Sequence, residues 1–131
     1  MQYEIEKTEI FDKWLKKLRD RKAVLAIANR LDRARLGNFG DTEQVGEGVS
    51  EMRIFFGPGY RLYYVIRGGM IIVMLCGGDK SSQKKDIKKA VPYGTACIKN
   101  NYYIYLKFKK LLYLYYENIP FLRRYSHNDQ S

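Results

Sequence analysis

The stretch VSEMRIFFGPGYRLYYVIRGGMIIVMLCGGDKSSQKKDIKK, residues 49–89, decides how this chain folds. It reads as three consecutive strands joined by two glycine turns, Gly57-Pro58-Gly59 and Gly68-Gly69, then a glycine-rich corner and a lysine-rich helix. Side chains alternate across a strand, so the turn lengths decide which residues share a face. With residues 57–59 as the loop, Phe56 pairs with Tyr60, Ile54 with Leu62 and Met52 with Tyr64, giving one apolar face. The opposite face carries Arg53, Phe55, Arg61 and Tyr63, with Arg53 diagonal to Arg61. A two-residue turn at Gly68-Gly69 sets Met74 against Tyr63 and Cys76 against Arg61, and Lys80 leaves the end of that strand beside Arg61. Two arginines, one lysine and one tyrosine are therefore expected to converge on one end of the sheet. Two readings stand side by side. One is a set of solvated basic residues on the outer face of a half-buried antiparallel sheet. The other is a phosphate-binding site, because guanidinium forks match phosphate oxygens and an ammonium adds a point charge.

Size and charge narrow the partners. The chain has 131 residues, enough for one domain with a true core and short of two comfortable ones. Its net charge of +10 is uneven: Lys and Arg number 10 against 9 acids over residues 1–50, but 8 against 3 over residues 51–90 and 6 against 2 over residues 91–131. A polyanionic partner for the hairpin region follows from that asymmetry. A membrane surface does not, since the basic residues lack the apolar stripe of an interfacial helix. The two cysteines, Cys76 and Cys97, form neither a disulfide framework nor a metal-ligand spacing, so a reducing, cytoplasmic setting with no metal and no cofactor is expected. The first residues, MQYEIEKTEI, lack a secretory pattern, and no run approaches a membrane span. The single histidine, His127, lies near the end of the chain, leaving acid-base chemistry to Lys, Tyr, Arg or carboxylates.

Upstream of the hairpins, Tyr3 and Ile5 alternate with Glu4 and Glu6 as in a short strand. Thr8 can cap a helix over residues 9–19, in which Ile10, Phe11, Trp14, Leu15 and Leu18 recur at helical spacing. Asp20 can cap a second helix with Ala23, Val24, Ile27, Ala28, Leu31 and Ala34 inside and Arg30, Arg33 and Arg35 outside, ended by Gly37. This helical hairpin can lie on the Met52, Ile54, Leu62 and Tyr64 face, with Trp14 in the core. The glycine-rich, acidic text GNFGDTEQVGEG over residues 37–48 reads as a connecting loop. The corner GGDKSS at residues 77–82 follows a strand and opens a helix, so its amides could face an anion. Lys84, Lys85, Lys88 and Lys89 form a lysine face on that helix, solvated or in contact with nucleic acid.

Past residue 90 the character changes. Eight of the twelve tyrosines fall in residues 91–131, and no periodicity persists. This tail is expected to be either a genuine irregular extension or the product of a shifted reading frame, with the second preferred.

Residues 2–90 resemble the RelE/ParE superfamily of bacterial toxins, in its HigB-like branch of phage-derived or addiction-module killer proteins. The resemblance is carried by FDKWLKKLRDRKA (residues 11–23), IANRLDRARLGNFGD (27–41), VGEGVSEMRIFFGPGYRLYYV (45–65) and LCGGDKSSQKKDIKKA (75–90), among which GPGYR and CGGDKSSQ are the specific pieces. It implies an α+β fold in residues 1–90, with two N-terminal helices packed on a small antiparallel sheet and a C-terminal helix. It further implies a toxin restrained by a cognate helix-turn-helix antitoxin. Most such toxins cleave messenger RNA in the ribosomal acceptor site, whereas ParE-like members poison gyrase. By the same resemblance Arg61 looks like the transition-state arginine, and Arg53 and Lys80 like auxiliary basic residues. The family's last helix normally continues past the DIKKA-like stretch, and this chain departs from the pattern at Val91.

Cleavage of RNA by its own 2'-hydroxyl needs a base for that hydroxyl, neutralisation of the pentacoordinate phosphate, and an acid for the leaving 5'-oxygen. Arg61 is the candidate for the developing charge, and Arg53 and Lys80 for phosphate positioning or proton transfer. Tyr63 is the candidate for stacking or hydrogen bonding, and Lys84, Lys85 and Lys88 for holding the RNA strand. Three activities remain distinct at this point: a metal-independent, ribosome-dependent endoribonuclease, a gyrase poison, and an inactive nucleic-acid-binding remnant.

Overall fold

The computed structural model describes residues 2–98, so of the expected tail over residues 91–131 only residues 91–98 are described, and the rest lies outside the described residues. In chain order the elements are β1 (Glu4–Lys7), α1 (Glu9–Lys17), α2 (Arg21–Arg35), β2 (Thr42–Gly46), β3 (Val49–Ile54), β4 (Tyr60–Arg67), β5 (Ile71–Asp79), a 3-10 turn (Lys80–Ser82) and α3 (Gln83–Ile98). The strands form one sheet in the order β1-β5-β4-β3-β2. This is the α+β architecture expected, with one helical layer on each face. No helix among the described residues is long and apolar enough to cross a membrane.

Both helix starts obey their capping chemistry. The Thr8 hydroxyl oxygen accepts from the Phe11 amide at 3.0 Å and donates to the Leu75 carbonyl at 2.7 Å, so one side chain caps α1 and fastens it to β5. Asp20 accepts from the Lys22 and Ala23 amides at the start of α2. Phe11, Ala23, Ile27, Leu31 and Ala34 then bury against Met52, Ile54, Leu62, Tyr64, Ile72 and Met74 on one face of the sheet. On the other face α3 packs Ala90 and Cys97 onto Val49, Tyr63, Val65, Val73, Leu75 and Cys76. Covered on both sides, β4 is buried from Tyr60 to Val65, which explains its nearly unbroken apolar text.

Five expectations change. The sheet is mixed, because β1 runs parallel to β5 at the edge. The acidic connector contains a strand: β2 pairs with β3, turning through Glu47 (φ 47°) and Gly48 (φ 86°). Its text is polar because it is an edge strand that faces water over most of its length. The first hairpin loop is two residues longer than expected, so Ile54 opposes Tyr60, Met52 opposes Leu62, and Arg53 lies directly across from Arg61. The second turn leaves three residues between Arg67 and Ile71, and a bulge at Leu75 then shifts the register. Met74 therefore joins the helical-hairpin core and Leu75 and Cys76 both point at α3, an exchange of faces that a bulge alone permits. Finally, Arg30 is buried, not outward. Its guanidinium donates to the carbonyls of Arg53, Phe39 and Asp41, in a space kept open by Gly40 (φ 66°).

The last helix runs past residue 90 to Ile98, with Pro92 inside it. Gly94 is where it comes closest to the sheet, since a Cβ there would run into Val49 and Val65 and crowd Leu75 at 3.3 Å. In an open helix Gly→Ala gains about 1 kcal/mol from propensity. Here overpacking reverses the sign, and Gly94→Ala is expected to cost about 1–3 kcal/mol, read as a lower urea midpoint. A raised midpoint would show that residues beyond Ala90 do not seat on the sheet.

Candidate functional site

Two rows of side chains cross the α3 face of the sheet. Register sets Glu43 opposite Glu51, Glu51 opposite Tyr63 and Tyr63 opposite Cys76; the next row sets Arg53 opposite Arg61 and Arg61 opposite Gly78. Like charges directly across a pair of strands repel, so Arg53 and Arg61 need compensation. The acidic row supplies it diagonally. Arg53 meets Glu43 at 2.9 Å and Asp41 at 3.3 Å, and Arg61 meets Glu51 at 3.3 Å.

The two pairs differ in depth. Glu51 is 1% exposed and Arg61 8%, whereas the carboxylates on Arg53 are open to solvent. Glu51 is also hydrogen-bonded on its other oxygen, which accepts from the Tyr63 hydroxyl at 2.9 Å and from Gln83 Nε2 at 2.8 Å. A carboxylate this deep would be costly alone; three groups drawn from β4 and α3 satisfy it. Arg61 Nε is buried without an acceptor among the described residues, so the guanidinium retains an unspent donor.

The structure brings some expected site residues together and moves others out. Arg53 and Arg61 share one side of the sheet, and that side is not the one under the paired helices. Lys80 follows β5 and packs near Gly59, with the first loop on its flank. Lys80, Lys84 and Lys85 are exposed and line an open depression of about 540 Å³ with Ser81, Ser82 and Gln83. Lys88 is exposed outside that lining. Tyr63 does not fit the stacking role: its ring is fully buried, and its hydroxyl is committed to Glu51. Its phenol is held far above the ordinary value, first by burial and then by that hydrogen bond. Nor does the glycine corner face an anion. Gly77 and Gly78 belong to β5, pressed by the Trp14 ring and by the Asp86 carboxylate, while Asp79 itself accepts from the Ser81 amide at 2.8 Å. The Ser82 hydroxyl donates to Asp86 at 2.6 Å beneath the same turn.

Glu51 and Gln83 were absent from the expected site. The signal for Glu51 was present, because an acid two residues before Arg53 must share its side of the strand. Gln83 is 32 residues from its partner and needs the fold to place it.

The Glu51–Arg61 pair is buried, so removing one partner strands the other charge, at a cost of about 3–5 kcal/mol. Arg61→Ala and Glu51→Ala should each show a loss of that order by chemical denaturation, and Arg61→Met with Glu51→Leu together should lose less than the sum. Additive losses would mean that the pair is not coupled. A pH effect follows from the neighbouring acids. Burial, and then Asp86, pushes the Cys76 thiol from 9.0 up to about 12. The unfolded chain therefore releases this proton first, so stability is full below pH 9 and falls between about pH 9 and 12. Cys76→Ala should flatten part of that decline in the urea midpoint.

Comparison with known proteins gives this arrangement a context. Residues 13–92 match the family described as Phage derived protein Gp49-like (DUF891). An uncharacterized protein of Haemophilus influenzae (strain ATCC 51907 / DSM 11121 / KW20 / Rd) is 47% identical over 90 residues, covering 69% of this chain and 91% of the relative. The chain thus belongs to the Gp49-like family of phage-derived proteins, within the RelE/ParE-like superfamily of toxins from toxin–antitoxin systems.

Proposed function

We propose that this chain is a HigB-like toxin that cleaves messenger RNA on the ribosome, with Arg61 neutralising the phosphate during strand scission. Family membership implies an antitoxin partner, and in this reading that partner is a small helix-turn-helix protein. The observation that carries the proposal is the direct opposition of Arg53 and Arg61 at the margin where α3 begins, beside exposed Lys80, Lys84 and Lys85.

The roles follow from depth and mobility. Arg61, clamped by Glu51, presents a guanidinium whose orientation is fixed before RNA arrives, and preorganised charge is what stabilises a pentacoordinate phosphate best. Arg53 is bound to two solvent-exposed carboxylates, an arrangement worth little, so it can exchange them for a phosphate oxygen at small cost. Lys80 stands at the end of β5 as phosphate ligand or proton carrier, and Lys84, Lys85 and Lys88 draw in the strand by charge. Glu51 is too deep to touch a 2'-hydroxyl and serves as a positioning residue for Arg61.

The test is inducible expression of wild type, Arg61→Ala and Arg61→Lys, followed by primer extension on cellular messages and an assay for DNA breaks. Arg61→Ala is expected to lower cleavage by roughly 10²-fold or more. Arg61→Lys should lie between, since it keeps charge and loses the fork. Circular dichroism separates this from unfolding. Growth arrest with intact messages and broken DNA would replace the nuclease with a gyrase poison.

A further inference from the structure

Among the described residues, the aromatic ring most open to solvent is not Tyr63. Phe55 is 81% exposed. Its neighbours on both sides, Ile54 and Phe56, pack into the helical-hairpin core, so the residue between them points away from that core, toward the side of Arg53 and Arg61. The loop is held in this posture by its backbone: the Phe56 amide donates to Ile54, the Gly59 amide donates to Phe56, and Gly57 and Gly59 take positive φ. At this exposure the ring contributes little burial to the core and is free to meet a partner.

We infer that Phe55 is a stacking platform for a nucleobase of the RNA strand whose phosphate Arg61 engages, an inference that rests on the nuclease reading above. Phe55 lies two residues beyond Arg53, just past the end of β3, so one strand of RNA could meet both. Charge selects the occupant. Arg53 lies two residues before Phe55 in the chain, and across the loop Lys80 packs near Gly59, followed by Lys84 and Lys85. An exposed aromatic ring with cations nearby fits a single-stranded nucleic acid, which offers a π-face and a phosphate per step. Stacking accepts every base, so Phe55 would set the position of the cleaved bond more than its sequence.

The experiment measures cleavage of messenger RNA on programmed ribosomes by the full chain carrying Phe55→Ala, Phe55→Leu or Phe55→Tyr. Phe55→Ala and Phe55→Leu are expected to raise KM about 5- to 150-fold with a smaller change in kcat, and Phe55→Tyr to stay near wild type. Rescue by leucine would overturn the inference, because an apolar contact would then suffice. Equal cleavage by wild type and Phe55→Ala would overturn it while leaving the nuclease reading in place, and loss of antitoxin affinity alone in that variant would assign Phe55 to the protein partner. The Phe55→Trp chain separates the two ideas if wild type does not cleave. Quenching of its added fluorescence by a single-stranded RNA oligonucleotide, over the Trp14 background, keeps the platform and discards the nuclease. The absence of quenching discards both.

Discussion

A carboxylate with almost no access to water sits at the centre of this molecule, and the rest of the site is arranged around it. Glu51 is tolerated at 1% exposure because Arg61, Tyr63 and Gln83 reach it from two other elements. Each partner is fixed in turn by the demand it answers. The guanidinium cannot swing outward without leaving a buried charge uncompensated, and the Tyr63 ring cannot turn without leaving one carboxylate oxygen short of a donor. The strand pair, the start of α3 and the orientation of Arg61 are therefore a single cooperative arrangement.

That arrangement depends on a sheet covered on both faces, and one irregularity in β5 decides which of its residues enter each core. With an unbroken ladder, β5 would present strictly alternate residues to the two helical layers. The bulge at Leu75 lets Met74 enter one core while Leu75 and Cys76 both enter the other. The carbonyls at the bulge do not go to waste: those of Met74 and Leu75 accept from the amide and hydroxyl of Thr8, so the same irregularity anchors α1. Beyond it, Gly77 admits the Trp14 ring on one side and Gly78 admits Asp86 on the other. The CGG text is a steric requirement of packing from above and below.

Local chemistry was legible in the sequence. Thr8, Asp20 and Gly37 delimit their helices where a hydroxyl, a carboxylate and a positive φ are needed, and strand parity alone put Arg53 and Arg61 on one side. What parity cannot supply is register. Two glycine turns can close with two, three or five intervening residues, and nothing in GPG or GG distinguishes these until helices cover the sheet. The inward turn of Arg30 was hidden for a related reason. A helix of arginines spaced by apolar residues looks amphipathic, and only the carbonyls of Phe39, Asp41 and Arg53, brought in by the fold, satisfy a buried guanidinium. Strand β2 itself lacked an apolar signal because an edge strand needs pairing and no core.

The depth of each cation, more than its number, divides the labour at such a site. A guanidinium held by a buried acid arrives at a phosphate already oriented, so binding spends little on ordering it, but its donors are partly committed and its field is partly cancelled. Exposed lysines are the reverse: strongly hydrated, mobile and uncancelled, they supply long-range attraction without geometry. Arg53 lies between, tethered by acids that water already screens. In the function proposed above, a polyanion meeting this margin would be gathered by Lys84, Lys85 and Lys88, handed to Arg53 by exchange of one anion for another, and aligned finally by Arg61. That order rests on the hydration and burial of these cations.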